Sequence, residues 1–184
     1  MSERSGARTG VGSREILRAQ QRVSQQGPEA DARARRLGES RPELVAYLVS
    51  ATRALSPAAR RAAWQGFELV CEALRALELP RVTLTELLEA QCSNDELALR
   101  LGTAHPRFAD RWLHHGEGLR QRALLALLAR DAMARAPMGE RGALFLVLKT
   151  VVDVLDRSRR DQGNTPRSRT SRQGTPIPRS RLRA

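Results

Sequence analysis

Residues 143–155 read ALFLVLKTVVDVL, and whether this run is a helix or a strand decides the fold class. Its apolar residues fall on every face, so it belongs in the middle of a core. The valines would also suit a buried strand, and periodicity alone does not separate the two. A strand needs a partner, however, and no other segment alternates apolar and polar residues next to a hairpin signal. The run is therefore predicted as a central helix from Glu140 to Asp156, with the rest of the chain packed around it.

The neighbouring segments support that choice. LRQRALLALLARDAMARA is predicted as one helix ending at Pro137. In RPELVAYLVSATRAL, Pro42 suits a first helical position, and Leu44, Val45, Leu48, Val49 and Thr52 make an apolar stripe. Ser56 caps the next helix, Pro57 fills its first turn and Pro80 ends it, with Trp64, Phe67, Val70, Cys71, Leu74 and Leu77 on the core side. Thr83 with Glu86, and Ser93 with Glu96, each pair a hydroxyl with a carboxylate three residues on, which predicts two short helices at 84–91 and 94–101. Gly102 to His105 reads as a turn, and a third short helix follows from Pro106.

The predicted fold is all-α: a single compact helical bundle of about six core helices over residues 41–156, with a disordered basic tail. Residues 1–12 are rich in Gly, Ser and Arg and are expected to be disordered. Residues 13–38 form two polar helices, interrupted at Gly27-Pro28 and stopped at Gly38, that either dock on the core or stay mobile.

Charge is unevenly distributed. The formal net charge is +12. Residues 1–40 hold eight Arg and five acids, residues 41–156 hold fifteen basic and fourteen acidic residues, and residues 157–184 hold nine Arg and one Asp. Basicity is thus a property of the tail, while the core is nearly neutral. Lys149 is the only lysine; arginine replaces it everywhere else. An excess of this kind points to a polyanion such as DNA or RNA, or to an acidic protein partner.

Residues 84–115, with Ala98 in mid-helix and Gly102 at the turn, resemble the helix-turn-helix DNA-binding family, including its tri-helical form. The resemblance implies that the helix after the turn lies in the major groove, with Arg107 and Arg111 facing bases and Phe108, Ala109, Trp112 and Leu113 packed behind them. The residues themselves also fit two ordinary helices of a core.

The tail, RSRRDQGNTPRSRTSRQGTPIPRSRLRA, has only Ile177 and Leu182 as large apolar residues and contains an imperfect ten-residue repeat. Its guanidinium groups, on Arg157, Arg159, Arg160, Arg167, Arg169, Arg172, Arg179, Arg181 and Arg183, would neutralise phosphates without reading sequence. It has no aromatic residue to stack on bases. A solubilising extension is the plainer alternative. Thr165-Pro166 and Thr175-Pro176 are turn-forming and open to phosphorylation, which would reduce the positive charge.

Chemistry is sparse. Asp110 and His114 share a helical face at a spacing that holds two metal ligands, but a third and fourth are missing, so no metal or other cofactor is expected. No phosphate-cradling Gly-rich loop, Cys-x-x-Cys or nucleophile elbow is present, and an enzyme is not expected. Asp153 and Asp156 suit a polar edge on the last helix. Cys71 and Cys92 fall in apolar helical segments and are expected to be buried thiols. With no signal-like h-region and no apolar run of about 20 residues, a cytoplasmic protein without a membrane partner is expected. The two functional readings are a non-enzymatic nucleic-acid-associated protein and a helical protein-interaction or assembly module.

Overall fold

The computed structural model describes residues 11–25, 28–101, 109, 112, 113 and 121–164. All its regular elements are helical, so the all-α class holds among the described residues. The α-helices are α1 (Ser13–Ser24), α2 (Pro28–Ser40), α3 (Pro42–Ala51), α4 (Pro57–Ala73), α5 (Leu84–Leu101), α6 (Arg122–Leu127) and α7 (Arg141–Asn164).

The 143–155 run is the central helix. In α7, Leu144, Phe145, Leu148, Val151, Val152, Val154 and Leu155 are all buried, and α7 packs against both α4 and α5. Burial on all sides explains why its sequence shows no polar face. α4 presents Ala59, Ala62, Ala63 and Gly66 beside Phe67 and Val70, and these small residues let neighbouring helices approach closely. α1 docks against α4, with Ile16 and Ala19 buried. Of the two alternatives left open for the polar N-terminal helices, docking is therefore the one found for α1. Docking reaches further upstream as well: Val11, expected to be disordered, is buried, and its amide donates to Gln121 Oε1 at 2.9 Å.

Several boundaries differ from expectation, each for a local reason. Residues 84–101 form one helix rather than two. Thr83 caps it as predicted, its hydroxyl accepting from the Glu86 amide at 3.3 Å while its own amide donates to Glu86 Oε2 at 2.7 Å. Ser93 does not cap: its hydroxyl donates back to the Glu89 carbonyl at 3.0 Å. No Gly or Pro interrupts 84–101, and Ala90, Asn94 and Ala98, spaced by four, are all buried along the core side of α5. A continuous buried stripe outweighs one capping opportunity.

The helix starting at Ser56 ends at Ala73, not at Pro80. Arg75 takes the left-handed conformation (φ 55°, ψ 48°), and a short 3-10 turn, Ala76–Glu78, follows. It is the only described non-glycine residue with positive φ, a conformation costing roughly 1–2 kcal/mol for a residue with a Cβ. Over 121–136, the described part of the segment expected as one helix from 119, the chain is α-helical only at Arg122–Leu127, then loosens into a π-turn at Leu128–Ala132 and a 3-10 turn at Met133–Arg135. α2 runs past Gly38 to Ser40.

At its other end, α7 continues eight residues beyond Asp156. Ser158 is buried there and its hydroxyl donates to the Val154 carbonyl at 3.1 Å. Residues 157–164 are thus helix, not disordered tail, and carry Arg157, Arg159 and Arg160 with them. The rest of the tail, residues 165–184, lies outside the described residues.

Side-chain placement differs at three points. On α3, Tyr47 is buried with Leu44 and Leu48 while Val49 is 61% exposed, so the buried stripe is rotated from the one expected. Trp64 sits at the core rim, where its indole N–H donates to Glu68 Oε1 at 3.1 Å. Cys71 is buried as expected, but Cys92 is exposed. No helix of the described residues is long and apolar enough to cross a membrane.

Candidate functional site

Lys149 lies within the central, buried stretch of α7, and its surroundings explain how it is tolerated there. Its ammonium donates to Asn94 Oδ1 at 2.9 Å and to Asp153 Oδ2 at 2.5 Å. It also stands 4.9 Å from the ring centroid of Trp112, within cation–π range. Asn94 donates in turn to Thr150 Oγ1 and Asp153 Oδ2, both at 3.1 Å, and the Thr150 hydroxyl donates to the Leu146 carbonyl at 2.9 Å. Burial pushes the Tyr47 phenol above its ordinary range, while the neighbouring Thr150 hydroxyl pulls the other way. The cluster ties α5 to α7, and the polar groups of Lys149, Asn94, Thr150 and Asp153 are held by one another, as buried polar groups must be. Sequence reasoning registered Lys149 only as the single lysine of the chain. The signal was the i, i+4 pair Lys149–Asp153 opposite Asn94.

A second polar seam lies one turn further along α7. Asp156 accepts from Gln121 Nε2 at 2.5 Å, and Gln121 Oε1 holds the Val11 amide. The Asp156 carboxylate also faces Arg160 at 3.6 Å. Asp153 and Asp156, read as a polar edge, therefore anchor two different segments to the central helix.

Of the tail arginines, the structure places Arg157, Arg159 and Arg160 on the last turns of α7. Arg157 and Arg160 are exposed and Arg159 is half-buried. Arg157 faces the start of α5: the Glu86 carboxyl is held below its usual range mainly by the Thr83 amide and hydroxyl, with Arg157 adding to the effect. Arg167, Arg169, Arg172, Arg179, Arg181 and Arg183 lie outside the described residues, as do Arg107, Arg111, Asp110 and His114. Of the residues expected to pack behind a recognition helix, Ala109 and Trp112 are buried and Leu113 is half-buried, and all three are helical.

Arg159 opens onto a cleft of about 430 Å³ where α1, the end of α4 and the last turns of α7 meet. Four guanidinium groups line it, from Arg18, Arg22, Arg75 and Arg159, with the carboxylates of Glu15, Glu72 and Glu78. Arg22 pairs with Glu72 at 2.6 Å and Arg75 with Glu78 at 2.6 Å. Cys71 reaches the cleft wall, but burial raises its thiol far above the usual range and keeps it protonated. Sequence reasoning did not single out Arg18, Arg22 or Arg75, because Arg18 and Arg22 on α1 stand more than 50 residues from Arg75 and share no motif with it.

The exposed side of α5 carries Leu84 (49% exposed), Leu88 (49%) and Leu99 (82%), with Cys92 between them. At 100° per residue these four fall within one quarter of the helix circumference. They form an apolar stripe beside the face that buries Leu87, Ala90, Asn94 and Ala98.

Not every arginine faces outward. Arg41 is buried, with Nη1 donating to the Pro80 carbonyl at 2.9 Å and Nη2 to the Leu79 carbonyl. Burial, then the nearby Arg81, lowers its pKa. It serves the turn before α5, not a ligand.

No protein-family description, curated protein or solved structure matches this chain.

Proposed function

We propose that this is a non-enzymatic, cytoplasmic helical protein that associates with nucleic acid, mainly through its arginine-rich C-terminal segment. The observation that carries this reading is the separation of charge. Residues 157–184 hold nine Arg against one Asp, while residues 41–156 balance fifteen basic residues with fourteen acidic ones. Arg157, Arg159 and Arg160 support it further, since they start the basic run on a rigid helix that emerges from the core. Spaced guanidinium groups neutralise backbone phosphates and release counterions whatever the base sequence. The helix-turn-helix resemblance at 94–115, with Arg107 and Arg111 in the groove, is a further part of the proposal.

The test is fluorescence anisotropy of a random DNA duplex and an RNA of equal length, titrated at several salt concentrations. The full-length protein is compared with a variant in which Arg167, Arg169, Arg172, Arg179, Arg181 and Arg183 are all Gln. Substitution leaves α7 whole, because the helix runs on to Asn164. The variant should bind far more weakly, and its salt slope should fall by about 0.7–0.9 for each phosphate that is no longer neutralised. Equal binding by both proteins, abolished by Arg107→Ala plus Arg111→Ala, would move the interface to the helix-turn-helix. Absence of binding by the full-length protein would refute the reading.

The α5 stripe favours a second reading, that of a protein-interaction or assembly module. Leu84, Leu88 and Leu99 are large apolar groups aligned on one face and left in solvent. Concentration-dependent association, reduced by Leu88→Ser with Leu99→Ser, would support it.

A further inference from the structure

We infer that the cleft between α1, α4 and α7 is a binding site for a phosphate group, grasped by Arg18 and Arg159. The two ion pairs in the cleft, Arg22–Glu72 and Arg75–Glu78, cancel their own charges and brace its walls. Arg18 and Arg159 remain. Neither has a hydrogen bond or ion pair among the described residues, although both line the same 430 Å³ space. Glu15, the third carboxylate, already accepts from the Gly12 amide through Oε2 at 2.9 Å. The cleft therefore holds a net single positive charge, with its two unpaired guanidinium groups on opposing elements.

Neither guanidinium donates to a backbone carbonyl among the described residues. Where α4 ends, the carbonyls of Val70, Glu72, Arg75 and Ala76 all accept amides of their own turn. The uncommitted donors of Arg18 and Arg159 thus suit an acceptor with several oxygens, and the fork of a guanidinium matches phosphate geometry. The volume falls within the usual range for small-ligand sites and would admit a phosphate monoester as large as a mononucleotide.

Two sources supply the same group: a free phosphate monoester and the phosphodiester backbone of a nucleic acid. The inference does not depend on the tail, and its test keeps the two apart. Arginine Nε–Hε resonances of the full-length protein would be followed by NMR during titration with inorganic phosphate, then a nucleoside monophosphate, then a short DNA duplex. The same titrations would be run on Arg18→Gln/Arg159→Gln and on the protein with six tail arginines replaced by Gln. Arg18 is exposed and Arg159 half-buried, and neither has a partner among the described residues, so the double variant should fold normally, which its circular dichroism would verify.

Shifts at Arg18 and Arg159 on adding phosphate or the monophosphate, kept in the tail variant, are the expected result, and in the double variant the accompanying shifts of the cleft residues Arg22 and Arg75 should need about a hundredfold more ligand, about tenfold for each guanidinium removed. A monophosphate response without a duplex response identifies the free ester as source. A duplex response that survives the tail substitutions but not the cleft ones identifies the nucleic-acid backbone. The inference is overturned if neither phosphate, monophosphate nor duplex moves these two signals, or if all arginine signals move together in both variants. Failure of duplex binding with retained monophosphate binding would count against the tail reading alone.

Discussion

Replacing Lys149 with methionine isolates the contribution of the buried ammonium, because methionine keeps an aliphatic stem against Trp112. The substitution leaves Asn94 Oδ1 without its 2.9 Å donor and Asp153 without its cation. Removing one member of a buried pair typically costs about 3–5 kcal/mol. The Lys149 side chain is 7% exposed but that of Asp153 is 33% exposed, so water can solvate the abandoned carboxylate in part. The expected loss therefore sits at the lower end, about 3 kcal/mol. For a chain of this length that lowers Tm by roughly 6–12 °C. Urea denaturation followed by far-UV circular dichroism would measure it, with the slope m unchanged if only the native state is affected. Asp153→Leu alone should cost a similar amount, since it strands the cation. Combining the two should bring stability back to within about 1–3 kcal/mol of the original, because the apolar pair has no charge left to bury and only the buried Asn94 Oδ1 stays without its donor. A loss below about 0.5 kcal/mol for Lys149→Met, or a double variant as unstable as the sum of the singles, would refute the idea that these groups matter to one another.

Three further outcomes are expected. The Glu86 carboxyl is held below its usual range chiefly by the Thr83 amide and hydroxyl. Its contribution is therefore present above the unfolded value of about 4.3 and lost as pH falls through the lower folded value; Glu86→Gln should flatten the stability profile in that acidic window, read by chemical denaturation at successive pH values. Cys92 should react readily with a thiol reagent in the native protein and Cys71 only on unfolding, since Cys71 is buried with its thiol raised well above the usual range; two equal fast phases would contradict the placement of α4. Arg75→Gly should raise stability by about 0.5–1 kcal/mol, the relief of left-handed strain outweighing one exposed ion pair, and a loss on thermal denaturation would mean that the pairing with Glu78 holds the turn.

What the sequence discloses depends on how far apart the interacting residues are. The central helix was legible because Leu144 through Leu155 leave no face for solvent, and Thr83 was legible because both halves of its cap lie within four residues. Ser93 offered an identical local pattern, yet the helix runs through it. That outcome was decided by Ala90, Asn94 and Ala98 facing the core, and capping propensity carries no record of such packing. The rotated stripe of α3 has the same origin: Tyr47 and Val49 are equally apolar to a periodicity count, and only the neighbours of α3 choose between them. Among the site residues, the tail arginines are conspicuous because they are close together in the chain. Arg18 and Arg159 stand 141 residues apart and become a pair only when α1 docks and α7 continues past Asp156.

The chain's single lysine is sealed inside the helical core. No ε-amine is therefore offered to solvent by the folded protein, and acetylation, ubiquitin attachment at lysine and amine-directed cross-linking find no lysine target on it. Any regulation that adjusts the positive charge has to act on arginine, or add negative charge at serine and threonine. A lysine-acylating reagent should accordingly serve as a reporter of opening: its reaction with Lys149 can proceed only when α5 separates from α7.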